Sequence, residues 1–297
     1  MVSELNMKFG ISEALTFQSG AGGLVKALLR HVSGAEAEVY LYGAHVTAWR
    51  SPAQGELLFL SNKAVYGGGK AIRGGIPVIF PQFSGLGNLP THGFARTALW
   101  KVDSSHVQEN GDVVLKLYVS DQEISQSSVK ELWPHRFRFT YSVVLSERLR
   151  TDIEILNQGT QPLSFQLALH TYFNVSAIEN VAVKGLKGLK YLDNVKNREE
   201  GLNEESDVKF SGEYDRIFLQ APDRLEISDK TRTFVIDRRN MPDAVVWNPW
   251  IEKCKSLTDM EPADYKRMVC VESGNIVPSV SLGGGETFSC SQTLSVK

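Results

Sequence analysis

The sequence predicts an all-β sandwich with few short helices, and three observations support this fold class. Many segments of four to eight residues alternate apolar and polar side chains, turn signals separate them, and amphipathic helical patterns are weak throughout. The 297 residues, 42% of them hydrophobic, are enough to bury a sizeable core. Because no shift in composition and no internal repeat divides the chain, we expect one domain spanning residues 1–297.

The predicted strands follow from a period of two, which puts alternate side chains on opposite faces of a sheet. In the segment AEVYLY at 37–42, for example, Val39 and Leu41 share one face. The same period, or a short β-branched and aromatic run, predicts further strands at 113–119, 137–145, 151–156, 163–169, 225–227, 233–236, 244–247, 268–271 and 287–291. Turn residues at 109–112 and 157–159 predict two hairpin connections.

Helices are predicted at only two places. One short helix is expected at 259–267, and one or two helical turns are expected at 122–131. Residues 181–213 contain several glycines and many charges. We interpret them as short strands with a polar excursion over the sandwich.

The charge and cysteine content exclude several classes of function. Because 32 basic and 34 acidic residues give a formal net charge of -2, the chain lacks the cationic surplus that nucleic-acid binding needs. No apolar stretch approaches the roughly 18 residues of a membrane span, and the N-terminal segment lacks a leader pattern. Cys254, Cys270 and Cys290 are sparse and fit reduced thiols, so we expect a cytoplasmic protein that binds neither nucleic acid nor membrane.

The sequence signatures of common cofactors and nucleophiles are missing. The glycine-rich segment at 67–70 lacks the spacing of a phosphate-binding P-loop, and the patterns GxGxxG, HExxH and GxSxG do not occur. We therefore expect an activity that needs no nucleotide cofactor and no catalytic metal.

Basic side chains occur in two glycine-containing loops. Arg73 precedes Gly74 and Gly75, whose lack of a side chain allows the backbone to approach a ligand closely. The guanidinium could hold a phosphate through two parallel hydrogen bonds, although an ordinary surface arginine is an equally good interpretation. His92 and Arg96 straddle Gly-Phe-Ala in the second loop, where a structural histidine is the more common alternative.

Two titratable residues end segments that otherwise read as buried. His170 follows the apolar strand at 163–169, and the strand period places it on the same face as Tyr172. Glu272 ends the apolar run at 268–271 and precedes a turn. A carboxylate there is costly unless it is paired or functional, and a partly buried glutamate suits a general base. A hydrogen-bonded core histidine and a capping or loop glutamate remain the alternatives.

Together these residues supply two imidazoles, a carboxylate and two guanidinium groups without a cluster of metal ligands. That set fits proton transfer on an anionic, polyhydroxylated substrate. Several aromatic side chains could stack on the C–H faces of a sugar. Packing in the core is an open alternative for each of them: Phe83, Phe94, Tyr172, Trp247 and Trp250.

Six segments of the chain resemble one enzyme family. They read AIRGGIPVIFPQF, THGFAR, LALHTYF, EYDRIF, VVWNPW and VCVESGNI, and the similarity extends over about residues 20–295. The chain resembles the glucose-6-phosphate 1-epimerase (hexose-6-phosphate mutarotase) branch of the aldose 1-epimerase superfamily. The resemblance implies a galactose-mutarotase-like β-sandwich (a supersandwich) with its site in a cleft on a concave sheet. It also implies cofactor-free interconversion of the α and β anomers of an aldohexose 6-phosphate.

The resemblance also implies roles for individual residues. Glu272 resembles the general base of the family and His170 its general acid. Arg73 and Arg96 resemble the substrate-binding arginines, and Asp215 in the EYDRIF segment resembles a ligand of the sugar hydroxyls. In the implied reaction the base takes the proton of the anomeric hydroxyl while the acid protonates the ring oxygen.

One position departs from the family pattern. His92 resembles a second histidine of the site, and Thr91 stands before it where many members carry glutamine. Because a hydroxyl reaches less far than an amide, we expect Gln82 or a water molecule to make the substrate contact that is lost there.

Other functions stay open on the sequence. A non-catalytic carbohydrate-binding β-sandwich would use the aromatic residues but would not need an acid and a base at one carbon. A mutarotase for unphosphorylated aldoses would not need the two arginines in its cleft. A scaffolding protein would explain none of the polar segments. We expect a monomer whose partner is a small phosphorylated sugar.

Overall fold

The computed structural model describes residues 1–124 and 126–297 and is built almost entirely of strands. In chain order the strands of the described residues are β1 Leu15–Ser19, β2 Val25–Arg30, β3 Glu36–Tyr40, β4 His45–Ser51, β5 Gly55–Glu56, β6 Val78–Ile79, β7 Lys101–Val107, β8 Val113–Ser120, β9 Phe137–Leu145, β10 Leu149–Asn157, β11 Leu163–Leu169, β12 Tyr172–Asn174, β13 Ala182–Lys184, β14 Lys190–Asp193, β15 Glu199–Leu202, β16 Asp207–Val208, β17 Tyr214–Phe218, β18 Arg224–Asp229, β19 Arg232–Arg239, β20 Asp243–Asn248, β21 Met268–Leu282 and β22 Thr287–Val296. The predicted fold class is confirmed.

Helices are few and short. The α-helices of the described residues are α1 Val2–Phe9, α2 Ser127–Leu132 and α3 Trp250–Ser256. Single 3-10 turns occupy Ala21–Gly23, Ala95–Thr97, Ile178–Asn180, Asn194–Lys196 and Asp264–Arg267. In the described part of the chain, no helix has the length and apolar character that crossing a bilayer requires.

The strands form three antiparallel sheets. β1 to β5 pair in sequence order in the first sheet. The second has nine strands in the order β16-β13-β18-β19-β22-β10-β9-β8-β7. The third has the order β15-β14-β17-β20-β21-β11-β6, and β12 pairs with β21 beside it. The predicted short strands between 181 and 213 therefore lie at the edges of the second and third sheets.

The main core draws apolar side chains from all three sheets, from Leu15 near the N-terminus to Leu294 near the C-terminus. The period of two in β11 decides which side chains enter it. Phe165, Leu167 and Leu169 join this core, whereas Ala168 packs in a smaller cluster on the opposite face of the third sheet. The opposite face of the third sheet carries some of the residues predicted to form the site, and the others lie in loops.

One of the two predicted hairpin connections differs from the structure. The turn at 109–112 joins the paired strands β7 and β8 as predicted. The turn at 157–159 is not a hairpin, because β10 pairs with β9 and β22 while β11 pairs with β21 and β6. Asn157 fixes this crossing between sheets, since its amide donates to the carbonyl oxygens of Gln161, Leu282 and Gly283.

The helix and strand boundaries also correct the sequence prediction. The helix expected at 259–267 is wrong in place: α3 ends at Ser256, and only a 3-10 turn follows at Asp264–Arg267. The helical turn predicted at 122–131 corresponds to α2, with residue 125 outside the described residues. Glu272 does not end its strand, because β21 continues to Leu282. The turn predicted at Ser273 to Asn275 is wrong, because the pairing of β21 with β11 and β20 keeps this segment extended.

Glycine allows the loop that carries Arg73 to lie against the sheets. Gly74 and Gly75 have φ of 114° and 61°, in the region that favours glycine. The Gly74 oxygen lies 2.7 Å from Nε2 of His45, and the Gly75 N–H donates to the Phe59 oxygen at 2.7 Å. A side chain at position 75 would overlap the carbonyl oxygen of Val46.

We expect Gly75→Ala to destabilise the protein by several kcal/mol more than Gly55→Ala. Both glycines have positive φ, 61° and 70°, so both substitutions carry the backbone penalty of about 1–2 kcal/mol. Only position 75 adds a collision with backbone, because no atom lies within 4 Å of a Cβ built at 55 among the described residues. Denaturant unfolding measures both, and equal losses of stability would contradict the steric explanation.

Candidate active site

The register of the third sheet brings together three predicted site residues. Leu169 of β11 pairs with Ser273 of β21, and Tyr172 pairs with Cys270, which places His170 opposite Glu272. β20 lies on the other side of β21 and β17 lies beyond it. Asp215 of β17 pairs with Trp247, which pairs with Cys270 in turn. Residues more than a hundred positions apart in the chain therefore share one face of one sheet.

His170 and Glu272 form a buried pair. The imidazole Nε2 lies 3.3 Å from Oε1 of the carboxyl group, and the two residues are 8% and 1% exposed. Oε2 of Glu272 and Nδ1 of His170 have no hydrogen-bond partner among the described residues. The pair thus holds an unused acceptor and an unused ring nitrogen in a buried place, which is unusual unless a ligand or solvent completes it.

Aromatic rings surround the imidazole of His170. The Tyr172 ring stacks on it, with 4.7 Å between centroids and 10° between planes. Trp247 approaches edge-on at 5.8 Å, and the ring of His92 lies at 5.7 Å. Of the aromatic residues suggested for sugar stacking, Trp250 packs instead on Tyr265 at 5.3 Å, away from this group.

Arg73, in the loop after Gly69, contacts both Tyr172 and Asp259. Its Nη1 donates to the Tyr172 hydroxyl at 3.0 Å, and its Nη2 forms an ion pair with Asp259 at 3.1 Å. The phenol oxygen and Asp259 raise the pKa of Arg73, so the guanidinium stays charged. Asp259 was not predicted from the sequence, because it falls within the segment that was read as a helix.

The second loop places His92 and Arg96 beside Arg73. The backbone N–H of Ser84 donates to Nδ1 of His92 at 3.2 Å, which leaves the ring proton of a neutral His92 on Nε2. Nη2 of Arg96 donates to the Thr91 oxygen at 2.7 Å. Burial lowers the pKa of His92, and the positive charges of Arg96 and Arg73 lower it further.

These loops enclose a cleft of about 430 Å³. That volume suits a small polar ligand such as a phosphorylated sugar. Most of the charged side chains on its wall are basic, and Asp259 is the carboxylate among the lining residues. Residues that line it include Lys70, Arg73, Thr91, Arg96, Tyr172 and Asp259. Because Tyr172 both lines the cleft and stacks on His170, it joins the cleft to the buried pair.

Thr91 and Gln82 have different positions. Thr91 is exposed and lines the cleft. The Gln82 amide donates to the oxygens of Ser84 and Leu89 and accepts from the Leu89 N–H. Gln82 therefore supports the loop before His92 with its amide, and the substrate contact expected of Gln82 stays a prediction.

Burial and neighbouring charge shift the titration of the central pair in opposite directions. Burial, followed by His92, Arg73 and Arg96, holds the pKa of His170 well below its usual range. Burial and the nearby Asp215 raise the pKa of Glu272. These directions favour a neutral imidazole beside a neutral carboxylic acid when the cleft is empty. The ionised pair contains the same number of protons and differs only by transfer across the 3.3 Å contact.

Asp215 is held by a side chain that the sequence did not indicate. Asn194 donates to its Oδ1 at 2.7 Å. Burial raises the pKa of Asp215 to about 6, and Asn194 works against that rise by bonding the carboxylate. Among the described residues, no group of three or more histidine, cysteine, aspartate or glutamate side chains could hold a metal ion.

Comparison with known proteins defines the family. A family model described as aldose 1-epimerase matches residues 26–295, so the chain belongs to the aldose 1-epimerase family. A candidate glucose-6-phosphate 1-epimerase from Cenchrus ciliaris is 40% identical over 272 residues, covering 90% of this chain and 83% of the relative. The family resemblance predicted from the sequence is confirmed.

Solved structures support the same classification. The crystal structure of a candidate mutarotase from Salmonella typhimurium matches with a TM-score of 0.86 and 27% identity, covering 100% of this chain and 99% of that chain. A galactose mutarotase-like protein from Clostridium acetobutylicum, 15% identical, matches with a TM-score of 0.72 over 95% of this chain and 98% of its own. This second likeness concerns the fold, and the galactose-mutarotase-like prediction is confirmed.

We expect Arg96→Met to raise the pKa of His92 from its value of about 3. Removing a neighbouring positive charge favours the protonated imidazole, while methionine retains the apolar stem of the arginine. Titration of the ring resonances by NMR measures this shift. His135 is the internal control, because burial alone lowers its pKa. An unchanged His92 would contradict the charge coupling between the two side chains.

Proposed function

We propose that this protein interconverts the α and β anomers of D-glucose 6-phosphate and related hexose 6-phosphates, without a cofactor. The observation that carries the proposal is the 3.3 Å contact between His170 and Glu272, which Tyr172 connects to a cleft lined by Arg73 and Arg96. The name of the relative from Cenchrus ciliaris supports a sugar phosphate as the substrate.

The proposed reaction has two proton transfers, one from the sugar to the protein and one from the protein to the sugar. Glu272, as the carboxylate, takes the proton from the anomeric hydroxyl, while protonated His170 gives a proton to the ring oxygen. The bond between C1 and the ring oxygen breaks, and its electron pair stays on that oxygen as C1 becomes an aldehyde. Rotation about C1–C2 presents the other carbonyl face, and closure reverses both transfers. Positioned acid and base groups of this kind contribute roughly 10²- to 10⁴-fold.

The electrostatics of the site support this direction of transfer. Ring opening leaves the proton on Glu272 and a neutral imidazole at His170, and burial favours that uncharged distribution. The ionised pair is therefore a strong donor and acceptor, because its reaction removes two buried charges. Each closure regenerates the ionised pair, so the enzyme finishes the cycle unchanged.

Arg73 and Arg96 are proposed to bind the 6-phosphate. Arginine recognises phosphate through charge-assisted hydrogen bonds, which are about twice as strong as neutral ones. A dianionic phosphate beside them would also offset the two positive charges that depress the pKa of His170. The phosphate of the substrate would thus favour the protonated form of His170, the proposed general acid.

The remaining substrate contacts are proposed for three polar residues. We propose that Asp215, which Asn194 orients, accepts from sugar hydroxyls, and that Nε2–H of His92 donates to the substrate. Thr91 lines the cleft near Arg96 and can reach the ligand through its hydroxyl. Gln82 is left out of this set because its amide bonds the loop backbone.

We further propose that residues 1–297 act as one domain and as a monomer in the cytoplasm. Support comes from the completeness of the site, since every proposed group lies on one chain. The three cysteines are unpaired and buried, which suits a reducing compartment.

Glu272→Gln should lower the rate of anomer exchange of glucose 6-phosphate by about 10²- to 10⁴-fold, because the amide cannot accept the proton. NMR exchange spectroscopy, performed in the presence of EDTA, measures the rate directly. Glu56→Gln is the matched control, since that carboxyl group accepts backbone N–H bonds far from the cleft. Near-normal exchange in Glu272→Gln would disprove the base assignment, and an inactive wild-type protein would favour a binding-only module.

Arg96→Met should raise KM for glucose 6-phosphate by roughly tenfold to a hundredfold and leave KM for free glucose nearly unchanged. The lost interaction is a hydrogen bond to a charged group, which has this magnitude. A substrate panel of the two sugars gives the comparison. Arg138→Met serves as the control. It removes an arginine that pairs with Asp103 within the nine-stranded sheet, whereas the proposed acid–base pair belongs to the third sheet. An equal effect on both sugars would remove Arg96 from the phosphate site.

A further inference from the structure

Tyr172 occupies the position between the basic cleft and the buried acid–base pair. It is 2% exposed, and its hydroxyl accepts the hydrogen bond from Nη1 of Arg73 at 3.0 Å. Its ring lies parallel to the imidazole of His170 at 4.7 Å. Phe59 stacks at 6.2 Å and Trp247 meets the ring edge-on at 5.9 Å, so the phenol is packed in a fixed orientation.

The hydroxyl group gives Arg73 a fixed direction. A free arginine side chain has many rotamers, and ordering it costs entropy when a ligand binds. Here Nη1 is held by Tyr172 and Nη2 by Asp259 on the opposite side. The guanidinium plane is therefore oriented before phosphate arrives.

The ring of Tyr172 has a separate effect on His170. Catalytic histidines commonly have their second nitrogen fixed by a hydrogen bond. Nδ1 of His170 has no such partner among the described residues, so the stacked phenol is what holds the plane of the imidazole. An aromatic face also attracts a cation, which favours the imidazolium form.

The charged groups around His170 make this attraction relevant. Arg73, Arg96 and His92 disfavour a positive charge on the imidazole, while Glu272 at 3.3 Å favours it. The Tyr172 ring, stacked on the imidazole, is the second neighbour that stabilises the protonated form by its position.

We propose that Tyr172 is a positioning residue with two separable parts: its hydroxyl orients Arg73 for the phosphate, and its ring holds His170 as the acid. The inference rests on the proposed function and extends it to a residue that contacts both ends of the site. Phosphate binding and proton transfer are thereby linked through one rigid side chain.

Two substitutions separate the two parts. Tyr172→Phe keeps the ring and removes the bond to Arg73, so KM for glucose 6-phosphate should rise roughly tenfold or more while kcat falls by less than about threefold. KM for free glucose should stay near the wild-type value. Tyr172→Leu also removes the stacked face, so kcat should fall at least about tenfold. The alkaline limb of its kcat–pH profile should move to lower pH, because the imidazolium loses its proton more readily.

The controls exclude a general effect on folding. Tyr141→Phe removes another buried hydroxyl, which lies in the nine-stranded sheet and has no hydrogen-bond partner among the described residues. This substitution should leave both kcat and KM unchanged. Thermal unfolding of every variant confirms that the compared proteins are folded. Loss of folded protein would lower the apparent kcat alone. It would change neither KM nor the pH profile.

The outcomes distinguish this inference from the proposed function. A wild-type protein that fails to exchange the anomers of glucose 6-phosphate overturns both. An active wild-type protein with an unchanged KM in Tyr172→Phe overturns the orienting role of the hydroxyl. An active Tyr172→Leu with the wild-type pH profile overturns the role of the ring.

Discussion

The antiparallel register between β11 and β21 is the constraint on which the rest of the site depends. It places His170 opposite Glu272, and a slip of one residue would turn every side chain of the strand to the other face. The apolar residues at alternate positions of β11 are buried in the main core, so such a slip would expose Phe165 and Leu167. The hydrophobic core of the sandwich therefore fixes the geometry of the pair for which we propose proton transfer.

Burial of this pair has a cost that the surroundings only partly offset. Two ionisable groups that are almost fully covered would each prefer to be neutral, and the directions of their pKa shifts reflect that preference. A catalyst benefits from the same cost, because a charged acid and base react readily when reaction neutralises them. The arginines at the cleft then explain why a phosphate, and not only a sugar ring, would be needed to favour the charged state.

The sequence predicted much of the site, for identifiable reasons. His170 and Glu272 could be selected because polar residues at the ends of apolar runs are costly unless they have a role. The support that Gln82 gives its own loop was not predicted, because an amide that bonds three backbone groups looks the same in sequence as one that faces a ligand. Asp259 was missed because its contact with Arg73 spans nearly two hundred residues and has no local pattern.

By itself the sequence determined the fold class, many of the strands and the family, since alternation, turn residues and the six motif segments are local properties of the chain. The tertiary structure alone decided which polar residues meet, because those distances depend on how sheets pair and pack. It showed that β10 and β11 cross between sheets and that β21 continues past Glu272. It also placed Arg73 on the hydroxyl of Tyr172, a contact between two distant segments that no spacing in the chain records.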